Sequence, residues 1–201
     1  MNIQYKKDIL VVFPTICMLL LVWLLWGSDN KVFFTEYRAQ HPALTLYVTW
    51  FTQYARYIFY FFFAYMVFTA VIRKSWKPVI YVATVFLIQV IMSVLILHAL
   101  KISIGRPRPL IGGEWQPFAF TDDYYSMPSG HTMESTILGL THARYWKTTI
   151  VHLLCGILVA MIAFSRIYLS MHHISDILAG LILAYTGTTL LQKFVFARFY
   201  K

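Results

Sequence analysis

Residues 79–100 read VIYVATVFLIQVIMSVLILHAL and contain no Asp, Glu, Lys or Arg. At 1.5 Å per residue, an α-helix of this length rises about 33 Å. The hydrocarbon core of a bilayer is roughly 30 Å thick, and about 20 apolar residues are enough to cross it. This run therefore predicts a membrane-spanning helix.

The composition of the whole chain agrees with a membrane protein. Of its 201 residues, 59% are hydrophobic and only 12% are charged, whereas a soluble domain carries about 25% charged residues. An ordinary cytosolic enzyme, a disordered chain and a disulfide-stapled secreted domain are excluded on this basis. The net charge of +9 does not indicate nucleic-acid binding, because the basic residues sit between apolar runs and form no basic stripe.

Five further apolar runs flank the first one. Together they predict an all-α integral membrane bundle of six transmembrane helices, formed by residues 1–201 as a single membrane-embedded domain. The start of the second span is left open, because residues 43–53 fit either an interfacial helix or the extension of a tilted span. The predicted runs are 9–26, a run ending at residue 72, 79–100, 131–145, 148–168 and 174–194.

The basic residues of the loops predict the orientation of the bundle. Cytoplasmic loops carry an excess of Lys and Arg, and this excess is met when the N- and C-termini are both cytoplasmic. The loop 101–128 and the short loop between the fifth and sixth spans then face outward. The cytoplasmic side receives Lys6, Lys7, Arg73, Lys74, Lys77, Arg144, Lys147, Lys193, Arg198 and Lys201.

Three polar segments lie on this predicted outer face: KISIGRPRP at 101–109, PSGH at 128–131 and SRIYLSMHHISD at 165–176. Charged residues at a membrane boundary are costly and tend to be functional. Lys101, Arg108 and Arg166 place three cations at helix ends, which suits a tetrahedral phosphate dianion. Phosphoryl transfer is catalysed mainly by positioning and by charge stabilisation. Arg offers a planar fork to two oxygens, and Lys offers a point charge.

The remaining polar residues of these segments supply complementary chemistry. Ser129 and Gly130 precede a predicted helix, so their hydroxyl and backbone N–H groups form an anion cradle. His172 and Asp176 are four residues apart and share a helical face. The carboxylate would hold one ring nitrogen as N–H and leave the other free to attack. His131, in a different segment, suits a general acid that protonates the leaving oxygen.

Together the three segments resemble the signature of the type 2 phosphatidic acid phosphatase superfamily. That signature is Lys, six residues, Arg-Pro; then Pro-Ser-Gly-His; then Ser-Arg, five residues, His, three residues, Asp. The resemblance covers about the C-terminal half of the chain and matches the membrane-integral branch of lipid phosphatases. The fixed positions, all present, are Lys101, Arg108, Pro109, Pro128, Ser129, Gly130, His131, Ser165, Arg166, His172 and Asp176.

The resemblance implies a role for each matching residue. His172 would attack phosphorus and form a phosphohistidine, Asp176 would orient His172, and His131 would protonate the leaving group and then help to activate water. No metal or other cofactor is expected, and no carboxylate cluster in the sequence suits Mg²⁺. The phosphate oxygens would be bound by Lys101, Arg108, Ser129, Gly130 and Arg166.

The implied activity is metal-independent dephosphorylation of a membrane lipid phosphate or diphosphate. Candidate substrates are undecaprenyl diphosphate, phosphatidylglycerol phosphate, phosphatidic acid and lipid A phosphates. The resemblance further implies a bacterial inner-membrane enzyme whose site faces the periplasm, with the lipid bilayer as its partner. The alternative is a lipid-to-lipid phosphotransferase that uses the same site. A non-enzymatic scaffold is disfavoured because no signature residue is missing.

Several residues near the site keep open roles. Arg106 would add a fourth cation beside Arg108, which favours a diphosphate substrate. Glu134 either contacts the site or caps its helix, with the cap favoured. The other open positions are His98, interpreted as a bundle-facing polar residue, Arg56, placed at the outer end of the second span, and His173, which the spacing disfavours as the nucleophile relative to His172.

Overall fold

The computed structural model describes residues 7–199, with side chains as far as residue 194. Within this part the chain is helical and has no β-strand. Lys6, Lys201 and the side chain of Arg198, which contribute to the predicted orientation, lie outside the described residues. The predicted cytoplasmic termini are therefore not tested.

Nine α-helices account for most of the described chain. A π-helical turn, Ile91–Ile96, joins the fifth and sixth of them into one continuous rod. In chain order the helices are α1 (Ile9–Trp26), α2 (Asn30–Gln40), α3 (Pro42–Tyr54), α4 (Tyr57–Ile72), α5 (Trp76–Val90), α6 (Leu97–Ile104), α7 (Gly130–Trp146), α8 (Thr149–Tyr168) and α9 (Ile174–Phe199).

Five helical stretches in the described part are long and apolar enough to cross a membrane. They correspond to five of the six predicted spans, and the second begins at Pro42. The predicted fourth span is α7, which has 17 residues and carries His, Glu and Arg side chains. A sixth span through α7 therefore stays a prediction. The five stretches are Ile9–Gln40, Pro42–Ile72, Trp76–Ile104, Thr149–Tyr168 and Ile174–Phe194.

Helix α7 forms the centre of the bundle. Between residues 132 and 144 every side chain except that of Glu134 is buried. Helix α8 packs against α1 and α7, and α9 packs against the other side of α7. Leu140 joins the core cluster that contains Val11 and Val159, whereas Met133 joins the cluster that contains Ala184. The other helices thus shield the polar side chains of α7 from lipid, where unpaired polar groups are costly.

The three signature segments meet at one end of the bundle because consecutive helices run antiparallel. Helices α6 and α8 end there, and α7 and α9 begin there. Gly105 ends α6 in the left-handed region, with φ +56°, and a Cβ at this position would collide with the backbone carbonyl of Gln116. Only glycine fits this conformation and this contact together. It allows the loop that follows to pack back against α6.

A buried ion pair closes the opposite end of the bundle. Arg144, near the end of α7, donates from Nη2 and Nε to the Asp8 carboxylate at 2.8 and 3.1 Å. The same guanidinium donates to Gln192 Oε1 at 2.6 Å and to Thr189 Oγ1 at 2.8 Å, both on α9. Asp8 and Arg144 are both buried. This cluster ties the start of α1 to α7 and α9.

Candidate active site

The turn between α8 and α9 places His172 over the end of α8. The N–H groups of Met171 and His172 both donate to the carbonyl oxygen of Arg166, at 3.0 and 3.3 Å. Arg38 of α2 supports the turn by donating to the carbonyl of Tyr168 and, at 3.0 Å, to Ser170 Oγ. The sequence did not point to Arg38, because it belongs to no signature segment.

The partner of His172 fixes the protonation of its imidazole ring. Nδ1 lies 2.6 Å from the backbone carbonyl oxygen of Ser126. A carbonyl can only accept a hydrogen bond, so Nδ1 carries the proton and Nε2 keeps a lone pair. The Asp176 Oδ2 atom is 3.7 Å from Nδ1, which is too far for a hydrogen bond. The direct acceptor is thus the main-chain carbonyl of Ser126, and Asp176 contacts His172 less closely.

Three donors hold the buried Asp176 carboxylate. Arg106 Nη1 donates to Oδ1 at 2.7 Å, Ser126 Oγ donates to Oδ2 at 2.6 Å, and the His173 N–H donates to Oδ2 at 2.8 Å. Ser126 therefore serves both members of the pair: its hydroxyl binds Asp176 and its carbonyl binds His172. Arg106 is engaged with Asp176, where the sequence suggested a fourth phosphate-binding cation.

Burial lowers the pKa of His172 from 6.5 to about 4. The positive charges of Arg166 and Lys101 act in the same direction, and the Asp176 carboxylate opposes them. A buried imidazole surrounded by cations disfavours the protonated form. The ring is consequently neutral near pH 7, the state in which Nε2 is a nucleophile.

The start of α7 presents free backbone N–H groups to the site. Ser129 caps the helix, and its carbonyl accepts the first helical hydrogen bond, from Met133 N–H at 3.0 Å. The N–H groups of residues 130–132 precede that bond and have no acceptor within the helix. A Cβ built on Gly130 would lie 3.8 Å from Lys101 Nζ. The cradle predicted from Ser129 and Gly130 therefore lies beside a predicted phosphate-binding cation.

Ser129 also joins α7 to α9. Its N–H donates to the carbonyl oxygen of Asp176 at 3.0 Å, and its buried Oγ accepts a hydrogen bond from Thr132 Oγ1 at 3.0 Å. A Cβ on Gly180 would lie only 2.7 Å from the Ser129 carbonyl oxygen. The absence of a side chain at Gly180 lets α9 approach closely enough to bring His172 and Asp176 to the start of α7.

The predicted phosphate-binding cations converge on the same region. Arg108 is held by its own loop, with Nε donating to the Asp122 carbonyl at 2.8 Å. Arg166 is buried and donates from Nη1 to Thr52 Oγ1 at 3.3 Å, whereas its Nε has no hydrogen-bond partner in the described structure. Lys101 and Arg166 interact electrostatically with each other and with Arg108, His131 and His172. A buried N–H without a partner indicates a position for an anion.

Among the residues with open roles, Arg56 interacts electrostatically with His131 and Arg166, and the others have partners outside this group. Glu134 accepts hydrogen bonds from Arg56 Nη1, just before α4, at 3.1 Å and from Tyr60 Oη, within α4, at 2.6 Å. His173 places its ring Nε2 3.3 Å from the Pro107 carbonyl. His98 is exposed, and its Nδ1 is 2.7 Å from the Ser93 carbonyl, so it does not face the bundle interior as the sequence suggested.

Among the described residues, no group of three or more His, Cys, Asp or Glu side chains is arranged to hold a metal ion. The polar groups that converge at the candidate site are instead cationic or hydrogen-bond donors, a set that suits an anion.

A family model, described as the PAP2 superfamily, matches residues 77–200, which is more than half of the chain. The chain belongs to the PAP2 superfamily. The match spans all three signature segments and confirms the resemblance inferred from them. No curated protein and no solved structure gives a significant match. PAP2 proteins are phosphatases, so membership supports hydrolysis of a phosphate ester by this membrane protein.

Proposed function

We propose that this PAP2 protein hydrolyses a membrane lipid phosphate or diphosphate without a metal, through a phosphohistidine on Nε2 of His172. One observation carries the proposal. The hydrogen bond from Nδ1 to the Ser126 carbonyl, 2.6 Å long, leaves Nε2 as the ring atom with a lone pair. This atom belongs to a cluster whose other charged side chains suit a phosphate group.

The proposed reaction has two displacements at phosphorus. In the first, the His172 Nε2 lone pair forms a bond to phosphorus while the bond to the leaving oxygen breaks. His131, which takes up a proton when the phosphate anion binds beside it, gives that oxygen the proton. In the second, water attacks the phosphohistidine, His131 accepts a proton from the water, and the bond from nitrogen to phosphorus breaks. Inorganic phosphate leaves, and both histidines return to their starting states.

The cations and N–H groups act by stabilising the transferred phosphoryl group. Lys101, Arg108 and Arg166 balance the charge on its three equatorial oxygens, and the N–H groups at the start of α7 bind them. The Ser129 hydroxyl, which accepts from Thr132, would donate its own proton to a phosphate oxygen. Asp176 stabilises the positive charge that develops on His172 during attack.

A lipid substrate agrees with the position of the site. The cluster lies at the ends of helices that are long and apolar enough to cross a membrane, so a lipid headgroup would enter at the level of the phosphate cradle. The candidate substrates are undecaprenyl diphosphate, phosphatidylglycerol phosphate, phosphatidic acid and lipid A phosphates. Because Arg106 is paired with Asp176, it no longer supports a preference for a diphosphate.

The proposed location is a bacterial inner membrane, with the site facing the periplasm. The excess of Lys and Arg in the opposite loops supports it. A cysteine replacing Glu114, in a chain whose Cys17 and Cys155 are changed to Ala, tests this orientation. We expect an impermeant maleimide to label it in spheroplasts. Labelling only after the membrane is opened would reverse the assignment.

The central experiment measures phosphate release and phosphoenzyme formation by detergent-purified protein, with EDTA present. We expect His172→Gln to lower release at least about a thousandfold, since it removes the covalent nucleophile. Radiolabelled substrate, quenched in alkali, should label the wild-type protein on the Nε2 position of histidine. The matched control is His173→Gln, which changes the neighbouring histidine and should keep most of the activity.

The outcomes separate the competing functions. Unchanged release by His172→Gln, or label on Nδ1, would contradict the proposed nucleophile. Loss of release in EDTA that Mg²⁺ restores would contradict metal independence. Label that appears on a second lipid and never as free phosphate would identify a phosphotransferase built on the same site.

A further inference from the structure

Residues 110–120, here called the 110–120 loop, expose an unusual number of large apolar side chains. The loop reads LIGGEWQPFAF and contains one charged residue, Glu114. A water-facing loop of this length rarely carries so much apolar surface, and contiguous patches of this kind mark interaction sites. The exposed side chains are Leu110 (59%), Ile111 (49%), Trp115 (54%), Phe118 (68%) and Phe120 (76%).

Backbone hydrogen bonds hold the second half of this loop against the end of a membrane-spanning helix. The N–H of Gln116 donates to the Gly105 carbonyl, and the N–H of Phe118 donates to the Ile102 carbonyl, both at 2.7 Å. Ile102 belongs to the last turn of the stretch Trp76–Ile104, which is apolar enough to cross a membrane. The loop therefore folds back to the depth at which that span ends.

The composition of the loop fits this depth. Trp and Phe with few charges are typical of the boundary between lipid headgroups and acyl chains, where an apolar ring is buried and backbone polar groups still reach water. Phe118 adopts φ +63°, a region that bulky residues avoid. The hydrogen bond to Ile102 thus holds the backbone of Phe118 in an unfavourable conformation, and its ring is exposed.

The loop also contacts residues of the candidate site at its start and at its centre. The Ile111 N–H donates to the Arg108 carbonyl at 3.0 Å, so a phosphate-binding arginine opens the loop. The Arg106 guanidinium, which holds Asp176, lies 5.4 Å from the centre of the Trp115 ring. The depth at which the loop sits in the membrane consequently bears on the residues that position the site.

We propose that the 110–120 loop is an interfacial anchor whose apolar side chains insert into the headgroup–acyl boundary of the bilayer beside the active site. The insertion seats the phosphate cradle at the level of the lipid headgroups. The occupant of this surface is the bilayer itself. Insertion of the loop into the bilayer does not depend on the proposed phosphatase function. Its effect on lipid turnover rests on that function.

The first test measures depth directly and needs no enzyme activity. Phe118→Cys or Phe120→Cys, in a chain with Cys17 and Cys155 changed to Ala, is labelled with an environment-sensitive fluorophore and reconstituted into phosphatidylcholine–phosphatidylglycerol vesicles. We expect quenching by lipids that carry a nitroxide near the top of the acyl chain, and little quenching by aqueous iodide. Label at Glu114→Cys, the polar residue of the same loop, should show the reverse.

Two results would overturn the anchor. Labels at 118 and 120 that iodide quenches as strongly as the label at 114 would place the loop in water. Labels that neither quencher reaches would show that protein, such as a second copy of this chain, covers the patch.

The second test asks whether the anchor serves lipid turnover. The double variant Phe118→Ser/Phe120→Ser should hydrolyse a vesicle-embedded long-chain phosphate about tenfold more slowly, since it loses two aromatic rings that the anchor would insert into the bilayer. Its turnover of a water-soluble short-chain phosphate should stay within about twofold of wild type. Phe68→Ser, a lipid-facing change on α4 that is 63% exposed, is the matched control and should leave both rates unchanged.

Equal losses with both substrates would refute the link between anchor and turnover. Absence of phosphate release by the wild-type protein with any substrate would count against the proposed function alone, because the depth measurement is independent of it.

Discussion

The environment of Asp176 shows how a single residue changes meaning between sequence and structure. The sequence predicted that its carboxylate would hold the His172 ring directly. In the structure a main-chain carbonyl at Ser126 holds the ring, and the carboxylate is itself held by Arg106 and Ser126. Asp176 thus organises the donors around His172 in addition to providing a charge four residues away.

Arg106 is accordingly expected to be a positioning residue that acts through Asp176. Arg106→Ala should lower kcat about a hundredfold, the cost of a misplacement of about 1 Å in the reacting groups, while KM changes little. Because Arg106 does not bind the second phosphate, lipid monophosphate and diphosphate turnover should fall by the same factor. Steady-state kinetics with both substrates measures this.

The conservative variant separates positioning from general damage to the fold. Arg106→Lys keeps a cation near the carboxylate and should recover part of the lost kcat. A loss confined to the diphosphate substrate, or a change in KM alone, would return Arg106 to the role of a fourth phosphate-binding cation.

Much of the candidate site was accessible from sequence because its spacing reflects local geometry. Asp176 follows His172 by four residues and lies in the first turn of α9, and the Ser129–Gly130 pair lies at the start of α7. The hydrogen bond between the Ser126 carbonyl and His172 was not accessible, because Ser126 lies in an irregular loop 46 positions before His172. No hydrophobic period or turn preference specifies such a contact.

At the scale of elements, hydrophobic length located most helices but not every one. The apolar runs predicted α1, α4, α7, α8 and α9, and α5 together with the start of α6. No run was predicted over residues 27–40, whose Asp, Glu, Lys and Arg residues interrupt the apolar pattern. Helix α2 nevertheless forms there, and Phe34 packs into a core cluster with Tyr168 and Ile177. Tertiary packing decides this helix, and local sequence carries little sign of it.

Helix α7 shows that the burial of a helix cannot be predicted from how apolar its sequence is. Its sequence is the least apolar of the predicted spans, yet it is the most completely enclosed helix of the described chain. In a membrane, a polar helix gains by lying inside the bundle, where neighbouring helices satisfy its side chains. The sequence predicted a span, and the structure shows a central helix with Ser129 and Gly130, the predicted phosphate cradle, at one end.

At the scale of the whole molecule, α7 also carries a charge at its other end. Gly130 and Arg144 are fourteen residues apart, or about 21 Å along the helix axis. The buried pair of Arg144 with Asp8 closes the bundle far from the proposed chemistry. Sites this far apart with no shared partners usually contribute independently to stability.

Breaking this pair from one side should destabilise the bundle more than removing both charges. Arg144→Met leaves the Asp8 carboxylate buried without its main cation, at a cost of about 3–5 kcal/mol. The double variant Asp8→Leu/Arg144→Met removes both buried charges and should recover much of that loss. Thermal unfolding of detergent-purified protein compares the two variants with wild type.

Phosphate release at low temperature provides the control, and the double variant should retain it because its changes lie at the far end of α7. A double variant as unstable as the single one would show that the polar network with Gln192 and Thr189, and not the ion pair, holds this end together.

The turn after α8 explains one property of the third signature segment. The N–H groups of Met171 and His172 both donate to one acceptor, the Arg166 carbonyl. Residues 166–172 therefore form a turn that is closed by hydrogen bonds. The number of residues between Arg166 and His172 is set by the turn itself, and the buried side chains of Ile167, Tyr168 and Ser170 fix it to the bundle. Inserting or deleting one residue would move the imidazole relative to the start of α7. The five-residue spacing of the third signature segment is thus a geometric requirement of this turn.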